Sequence, residues 1–230
     1  MLVVSNIKKI RADGHSALWN KQRKTAFTLA EVLVTLGIIG VVSAMTIPTL
    51  MSNHQRKVYV TRLNKVYSEI QQAAINFMNN KNAVNLVEAG INSTANANKL
   101  ITDNFNIVET CSNSLSPCFA DSYKLLSGSN YDLSSHVSTS YVLASGESIR
   151  LLYSKADDKI VNILVDINGK QGPNILGRDA FYMALYNNGV IDTYNNSATS
   201  APLTEEQRES AGSEWGPFGQ LLNDNWEMTY

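Results

Sequence analysis

The first strong pattern along the chain is a nearly uninterrupted apolar run over residues 27–51. It is 25 residues long and contains one charged residue, Glu31. A helix of that length, at ~1.5 Å rise per residue, is long enough to cross the ~30 Å hydrocarbon core of a bilayer. A secretory signal peptide would have a shorter apolar stretch followed by small residues at its cleavage site. The run therefore predicts a membrane-spanning helix over residues 27–51.

Apolar residues continue after residue 51 at intervals of four and three, which is the spacing of one face of a helix. We expect one helix over residues 27–79, whose second half, residues 52–79, is amphipathic and packs on a folded domain. Pro48 lies inside this helix and removes one backbone hydrogen bond, so a kink or local melting is expected there. The apolar positions of the second half are Tyr59, Leu63, Val66, Ile70, Ala73 and Phe77.

The remainder, residues 80–230, is expected to form the folded domain. Residues 80–135 are rich in Asn and Ser and predict a connecting region with short helices at residues 83–89 and 98–105. Beyond it, short segments separated by turn residues predict an antiparallel meander. A long helix followed by such a sheet predicts an α+β fold. Strands are expected at residues 139–144, 148–153, 160–166, 181–186, 190–193 and 226–230, and a further helix at residues 205–210.

Charge is distributed unevenly, because the first 26 residues carry a net charge of +5 and the remainder carries −6. Basic residues directly before an apolar span favour a cytoplasmic N-terminus. Residues after 51 are then expected outside the cytoplasm, and their acidic balance argues against nucleic acid as a partner of this domain. The basic residues nearest the span are Lys21, Arg23 and Lys24.

The two cysteines, Cys111 and Cys118, lie in a stretch rich in Ser, Asn and Pro. Two cysteines alone are too few for a zinc site, which takes four ligands. Outside the cytoplasm a nearby pair forms a disulfide. We therefore predict a disulfide between Cys111 and Cys118.

Glu31 is the anomaly of the apolar run. An unpaired carboxylate in hydrocarbon costs several kcal/mol, so an acid within a membrane span indicates a function and needs a partner. A plain signal anchor explains the rest of the run but leaves Glu31 without a role.

The residues around Glu31 resemble a known signature. The sequence Lys-Thr-Ala-Phe-Thr-Leu-Ala-Glu over residues 24–31 is similar to the type IV prepilin signal, in which a basic leader ends in a small residue before Phe-Thr-Leu-x-Glu. Gly40 and Pro48 stand at the offsets from Phe27 where pilins commonly have a Gly and a helix-bending Pro. Ala26 departs from the pattern, since Gly is usual before the scissile bond, but alanine is the smallest substitute, so processing is expected to survive at a reduced rate.

The resemblance to type IV pilins and type II secretion pseudopilins implies a maturation pathway. A prepilin peptidase would remove the leader, residues 1–26, between Ala26 and Phe27, and methylate the new amine of Phe27. Glu31 would pair with the α-ammonium of Phe27, of its own or of a neighbouring subunit, and a paired charge is tolerable in an apolar filament core. The expected partners are the peptidase, other pilin or pseudopilin subunits and the inner membrane, and the expected destination is an extracytoplasmic filament.

Two alternatives stay open at this point. An inner-membrane signal-anchored binding domain would keep its leader and tolerate loss of the Glu31 carboxylate. A membrane-tethered enzyme would need catalytic groups, and the chain has no nucleophile elbow, phosphate loop or zinc-protease motif. The sequence therefore predicts a structural subunit rather than an enzyme.

A polar loop over residues 166–179 resembles a loop of bacterial pseudopilin-like sequences, some of which bind calcium near their C-terminal sheet. Oxygen ligands for calcium could come from Asp166, Asn168, Asn174 and Asp179. The EF-hand template fails, because Gln171 stands where its Gly is required. The alternative is a structural turn, in which Gly and Asn adopt left-handed backbone and Asp and Asn cap it. No other cofactor is expected.

Overall fold

The computed structural model describes residues 27–133, 138–194, 200–211 and 217–230. The predicted leader and Ala26 lie outside these residues. The described chain divides between Ile47 and Pro48 into two units. Its helices are α1 Leu29–Asn80, α2 Thr94–Thr102, α3 Glu205–Ser210 and α4 Phe218–Asn223. Its strands are β1 Ile107–Cys111, β2 Tyr123–Lys124, β3 Asn130–Tyr131, β4 Ser140–Leu143, β5 Ser148–Ala156, β6 Lys159–Asp166, β7 Ala180–Tyr186 and β8 Ile191–Thr193.

The first half of α1 is long and apolar enough to cross a membrane, judged by length and composition, and none of its most apolar window is buried. The helix passes through Pro48 without interruption. Local melting at Pro48 is therefore not observed, and the expected kink stays a prediction.

The second half of α1 packs on the domain as the apolar spacing predicted. Leu63, Val66 and Ile70 are fully buried, and Ala73 is 2% exposed. Tyr59 and Phe77 lie partly buried at the margin of the same apolar core. Residues of α2, the central strands and α4 complete this core. The α+β fold class is thereby confirmed.

The main sheet has six antiparallel strands in the order β1-β4-β5-β6-β7-β8. Strands β4 to β8 form the predicted meander, and their observed bounds differ from the expected ones by three residues or fewer. Strand β1, which lies in the region predicted as a connection, pairs antiparallel with β4 and forms one edge. Strands β2 and β3 form a separate pair.

Two local predictions are wrong, and one predicted helix has different bounds. Residues 83–89 form turns rather than a helix, because the Leu86 amide donates to the Asn187 carbonyl at 2.9 Å. The second short helix is present but shifted towards the N-terminus: α2 begins at Thr94, after its N-cap Ser93, and ends at Thr102. Residues 226–230 form no strand, since Asn225 and Trp226 have φ angles of 52° and 63°. Left-handed backbone ends α4 and is incompatible with a strand.

Candidate functional site

The start of α1 is a capping box formed by Thr28 and Glu31. The Glu31 carboxylate accepts hydrogen bonds from the Thr28 amide at 2.8 Å and from the Thr28 hydroxyl at 2.9 Å. The Thr28 hydroxyl in turn accepts from the Glu31 amide at 3.2 Å. This reciprocal arrangement satisfies backbone donors that a helix start leaves free. The sequence contains the capping-box pattern, Thr-x-x-Glu before an apolar run. From the sequence Glu31 was given one role, pairing with the Phe27 amine, and the cap was missed.

The predicted maturation point lies just outside this cap. The helix begins at Leu29, so Phe27 and Thr28 have non-helical backbone, and Phe27 is 84% exposed. The bond between Ala26 and Phe27 involves a residue outside the described part of the chain. Its cleavage and the pairing of Glu31 with a Phe27 ammonium therefore stay predictions.

Gly40 has no neighbouring atoms on the side where a side chain would stand. A methyl group built at its Cα would meet no atom within 4 Å. The Gly at this position is thus not required by packing within the chain. Small residues let another apolar helix approach closely, which is the use that membrane helices make of them.

The cysteines form the predicted disulfide. The bond joins Cys111, the last residue of β1, to Cys118 in the following loop. The Ser148 hydroxyl donates to the Cys118 carbonyl at 2.5 Å, which fastens that loop to β5. The disulfide and this hydrogen bond hold the edge strand and its loop against the sheet.

The loop between β6 and β7 brings the four predicted oxygen donors together. Asp166 accepts from the Tyr123 hydroxyl at 2.5 Å and from the Asn168 amide at 3.1 Å. Asp179 accepts from the amides of Asn174 and Ile175, both at 2.7 Å. Each of the four carboxylate oxygens therefore already has one protein donor. Tyr123 is a partner that the sequence could not reveal, because it lies 43 positions from Asp166 on another strand.

The backbone of this loop supports the turn interpretation. Gly169, Asn174 and Gly177 have φ angles of 62°, 56° and 90°. A side chain at Gly177 would also place its Cβ 2.3 Å from Pro217 Cδ. Gly and Asn are the residues that tolerate left-handed backbone.

The two carboxyl groups of the loop are poorly solvated. Burial raises the pKa of Asp166 to about 7, the Tyr123 hydrogen bond works in the opposite direction, and Asp179 raises it further. Burial also raises the pKa of Asp179. The side-chain oxygens of Asn168 and Asn174 are buried and accept no hydrogen bond from any described residue. Within the described ranges no three His, Cys, Asp or Glu side chains form a metal-binding group.

The comparisons with known proteins concern the N-terminal segment. Residues 21–47 match the family model described as the prokaryotic N-terminal methylation motif. The matched segment contains the basic residues before the apolar run as well as Phe27, Glu31 and Gly40. This is the prepilin-type signal of pilins and pseudopilins, so the resemblance is confirmed for this segment. No curated protein and no solved structure matches the chain.

Proposed function

We propose that the chain is a structural subunit of a type IV pilus-like or type II secretion pseudopilus-like filament. The observation that carries this proposal is the methylation motif over residues 21–47, which overlaps the start of an apolar helix with exposed side chains. An apolar surface of that extent needs lipid or other apolar helices around it. The inner membrane before assembly and the filament core after it meet that need.

Maturation begins with a prepilin peptidase that cuts between Ala26 and Phe27 and methylates the Phe27 amine. The non-helical backbone at Phe27 and Thr28 supports access of a peptidase to that bond, since exposed irregular segments are the preferred sites of proteolysis. Cleavage removes a segment of net charge +5 from the cytoplasmic end of the helix. The mature subunit can then leave the bilayer without drawing that charge through hydrocarbon.

Assembly depends on the carboxylate of Glu31. In the described chain it accepts two hydrogen bonds from Thr28, the residue next to the new N-terminus. After cleavage it pairs with the Phe27 ammonium of its own or a neighbouring subunit, because an uncompensated charge in the filament core is costly. The pair sets the axial register between subunits.

The precursor lies in the inner membrane with its N-terminus in the cytoplasm and residues 52–230 outside. The role proposed for it is structural, without enzymatic activity. The competing function is an uncleaved, membrane-anchored binding domain. That alternative needs neither Phe27 at the N-terminus nor a charge at Glu31.

Mass spectrometry of the N-terminal peptide, from cells that contain a prepilin peptidase and its filament machinery, separates these functions. We expect a mature chain that begins at N-methylated Phe27. The variant Glu31→Ala should be cleaved but lost from filaments, whereas the control Thr35→Ala, in the same apolar segment, should assemble normally. A chain that still begins at Met1, with Glu31→Ala behaving as the wild type, would contradict the filament proposal and support the anchored binding domain.

We propose separately that the loop over residues 166–179 binds calcium. Its own side chains already form hydrogen bonds to its backbone, so the ion would bind to a turn that is formed without it. Two buried amide oxygens without hydrogen-bond donors, those of Asn168 and Asn174, favour it, together with the neighbouring carboxylates of Asp166 and Asp179. Oxygen donors of this kind suit a hard cation. The ion would supply positive charge to two poorly solvated carboxylates.

The variant Asn174→Gly tests calcium binding without disturbing the turn, because glycine accepts the left-handed backbone at this position. Calcium at 100 times its dissociation constant should stabilise the wild type by about 2.7 kcal/mol. The variant should lose most of this stabilisation, and Asn113→Gly, at another left-handed position, should keep it. Equal unfolding midpoints in calcium and in chelator would show that the loop is a structural turn that does not bind calcium.

A further inference from the structure

The segment that follows the apolar run is strongly basic. Residues 52–62 contain Arg56, Lys57 and Arg62, one histidine, His54, and no acidic residue. The apolar run ends at Met51, so these residues occupy the next three turns of α1. A charge of one sign at the end of an apolar span indicates contact with a charged layer.

Within the unit that begins at Pro48, part of this segment lines an open cleft of about 380 Å³. Helix α1 contributes Gln55, Arg56 and Tyr59, and the loop between β6 and β7 contributes Pro173 and Arg178. Two arginines from separate elements therefore face one concave space. Arginine presents a planar fork of donors that matches the oxygens of a phosphate group.

These arginines have little internal compensation. Among the described residues neither forms an ion pair, and the hydrogen bond of Arg56 runs to the Met228 carbonyl at 3.5 Å. The nearby aspartates, Asp166 and Asp179, are fully buried, and their oxygens already accept hydrogen bonds within the loop. The guanidinium groups are thus available to an anion that enters from solvent.

The position of the cleft along the helix indicates whether that anion is a lipid phosphate or free phosphate. Gln55 and Arg56 lie ~6–8 Å along α1 from Met51, and Tyr59 lies ~12 Å from it. The polar layer of a bilayer extends ~5–8 Å beyond its hydrocarbon core. With residues 27–51 as the membrane span, lipid phosphates lie at the height of the Arg56 end of the cleft, at a far higher local concentration than free phosphate.

We propose that the cleft formed by Arg56, Tyr59 and Arg178 binds the headgroup phosphate of an anionic phospholipid. This proposal rests on the proposed function only in taking residues 27–51 as the membrane span. The bound lipid holds the domain against the bilayer surface while the subunit waits in the membrane. Transfer to a filament must then break this contact.

The test uses the full-length precursor in micelles of a neutral detergent that contain phosphatidylglycerol and phosphatidylcholine in equal amounts. Native mass spectrometry counts the lipids that remain bound. The wild type should retain phosphatidylglycerol in preference to phosphatidylcholine. Each arginine near a charged lipid surface contributes about fivefold in affinity, so Arg56→Gln with Arg178→Gln should weaken retention about 30-fold.

The matched control, Lys81→Gln with Lys99→Gln, removes the same charge from exposed positions outside the cleft and should retain the lipid. The single variant Arg178→Gln changes an exposed side chain and should give an intermediate loss. A circular dichroism melt of each variant verifies that it is folded.

Three outcomes overturn the proposal. Equal losses in the control and cleft variants would indicate net charge alone, and equal retention of both lipids would remove the preference for an anionic headgroup. Displacement of the lipid by millimolar inorganic phosphate would identify a site for free phosphate instead. No peptidase is present in this experiment, so its result does not depend on whether the chain is cleaved or forms filaments.

Discussion

Asp166 is a fully buried acid at the end of β6, where its carboxyl group accepts from Tyr123 and Asn168. Burial raises its pKa to about 7, against 3.8 for the carboxyl group in water. The folded state therefore binds a proton more tightly than the unfolded state between these two values. Stability that depends on this group is fully present below pH ~4 and falls as the pH rises towards 7.

We predict that unfolding free energy, measured by urea denaturation in chelator, falls between pH 4.5 and 7 by up to about 1.4 kcal/mol per pH unit. Asp166→Asn should flatten this dependence, because the amide keeps an acceptor for Tyr123 and does not titrate in this range. Asp121→Asn, at an exposed position, should leave the slope unchanged. A wild-type profile that is flat or rises over this range would contradict the prediction.

Arg208 and Asp192 form a second buried polar contact, which fixes α3 to β8. Two nitrogens of the Arg208 guanidinium donate to the two oxygens of Asp192, each at 2.9 Å. Asp192 is 1% exposed and also accepts from the Leu203 amide. Removing the arginine would leave a buried carboxylate without its counter-charge.

Arg208→Met should therefore lower the unfolding free energy by about 3–5 kcal/mol. The double variant Arg208→Met with Asp192→Asn should recover part of that loss, because it also removes the buried charge. Chemical denaturation of the four proteins of this cycle gives the coupling energy directly. A double variant that is destabilised by the sum of the single effects would mean that the two side chains do not interact.

At the scale of elements, the disulfide fastens the edge strand β1 to the loop that follows it. The bonded cysteines are seven positions apart, so the bond closes a short loop. In the chain-entropy account a loop of this size contributes about 2–3 kcal/mol by restricting the unfolded chain. Cys111→Ser with Cys118→Ser should lower the denaturation midpoint accordingly. Reduction of the wild type should give the same shift, and the double variant should not respond to reductant.

The elements with a strong apolar pattern were predictable from the sequence. The apolar spacing of α1 and the short apolar runs of β6 and β7 between turn residues reflect burial, which the residues themselves encode. Helix α3 was predicted with its observed bounds, because Thr204 and Gln207 form a capping box that the sequence spells out.

The remaining elements depend on contacts between distant residues. Strand β1 has three exposed residues in a row, and its pairing with β4 defines it. Residues 83–89 have helix-forming composition, but their backbone bonds to the turn after β7 instead. The loop over residues 166–179 is a similar case. Its candidate oxygen ligands could be identified from the sequence, whereas Tyr123, which donates a hydrogen bond to Asp166, could not. Tertiary contacts override local propensity at such places.

At the scale of the whole molecule, the two halves of α1 have different surroundings. The buried residues of this helix begin at Val60, and the apolar window before them is exposed. Among the described residues, every buried side chain of α1 belongs to its second half. Under the proposed function, the first half contacts lipid or other subunits.

This division predicts opposite outcomes for two truncations. A chain that begins at Ser52 keeps every helical residue of the core, so it should be soluble without detergent and unfold cooperatively. A chain that begins at Lys81 loses Leu63, Val66 and Ile70, each fully buried. Burial of such a side chain contributes about 1.5–3 kcal/mol, and their sum approaches the whole stability of a typical domain. The shorter chain should therefore be unfolded or aggregated.

Circular dichroism and urea denaturation of both chains, with the detergent-solubilised full chain as reference, check this prediction. The chain from Ser52 should share the denaturation midpoint of the full chain, because the described residues of the segment it lacks include none of the buried residues of the core. A lower midpoint would show that the apolar half of α1 supports the domain. A folded chain from Lys81 would show that the sheet completes its core without the helix.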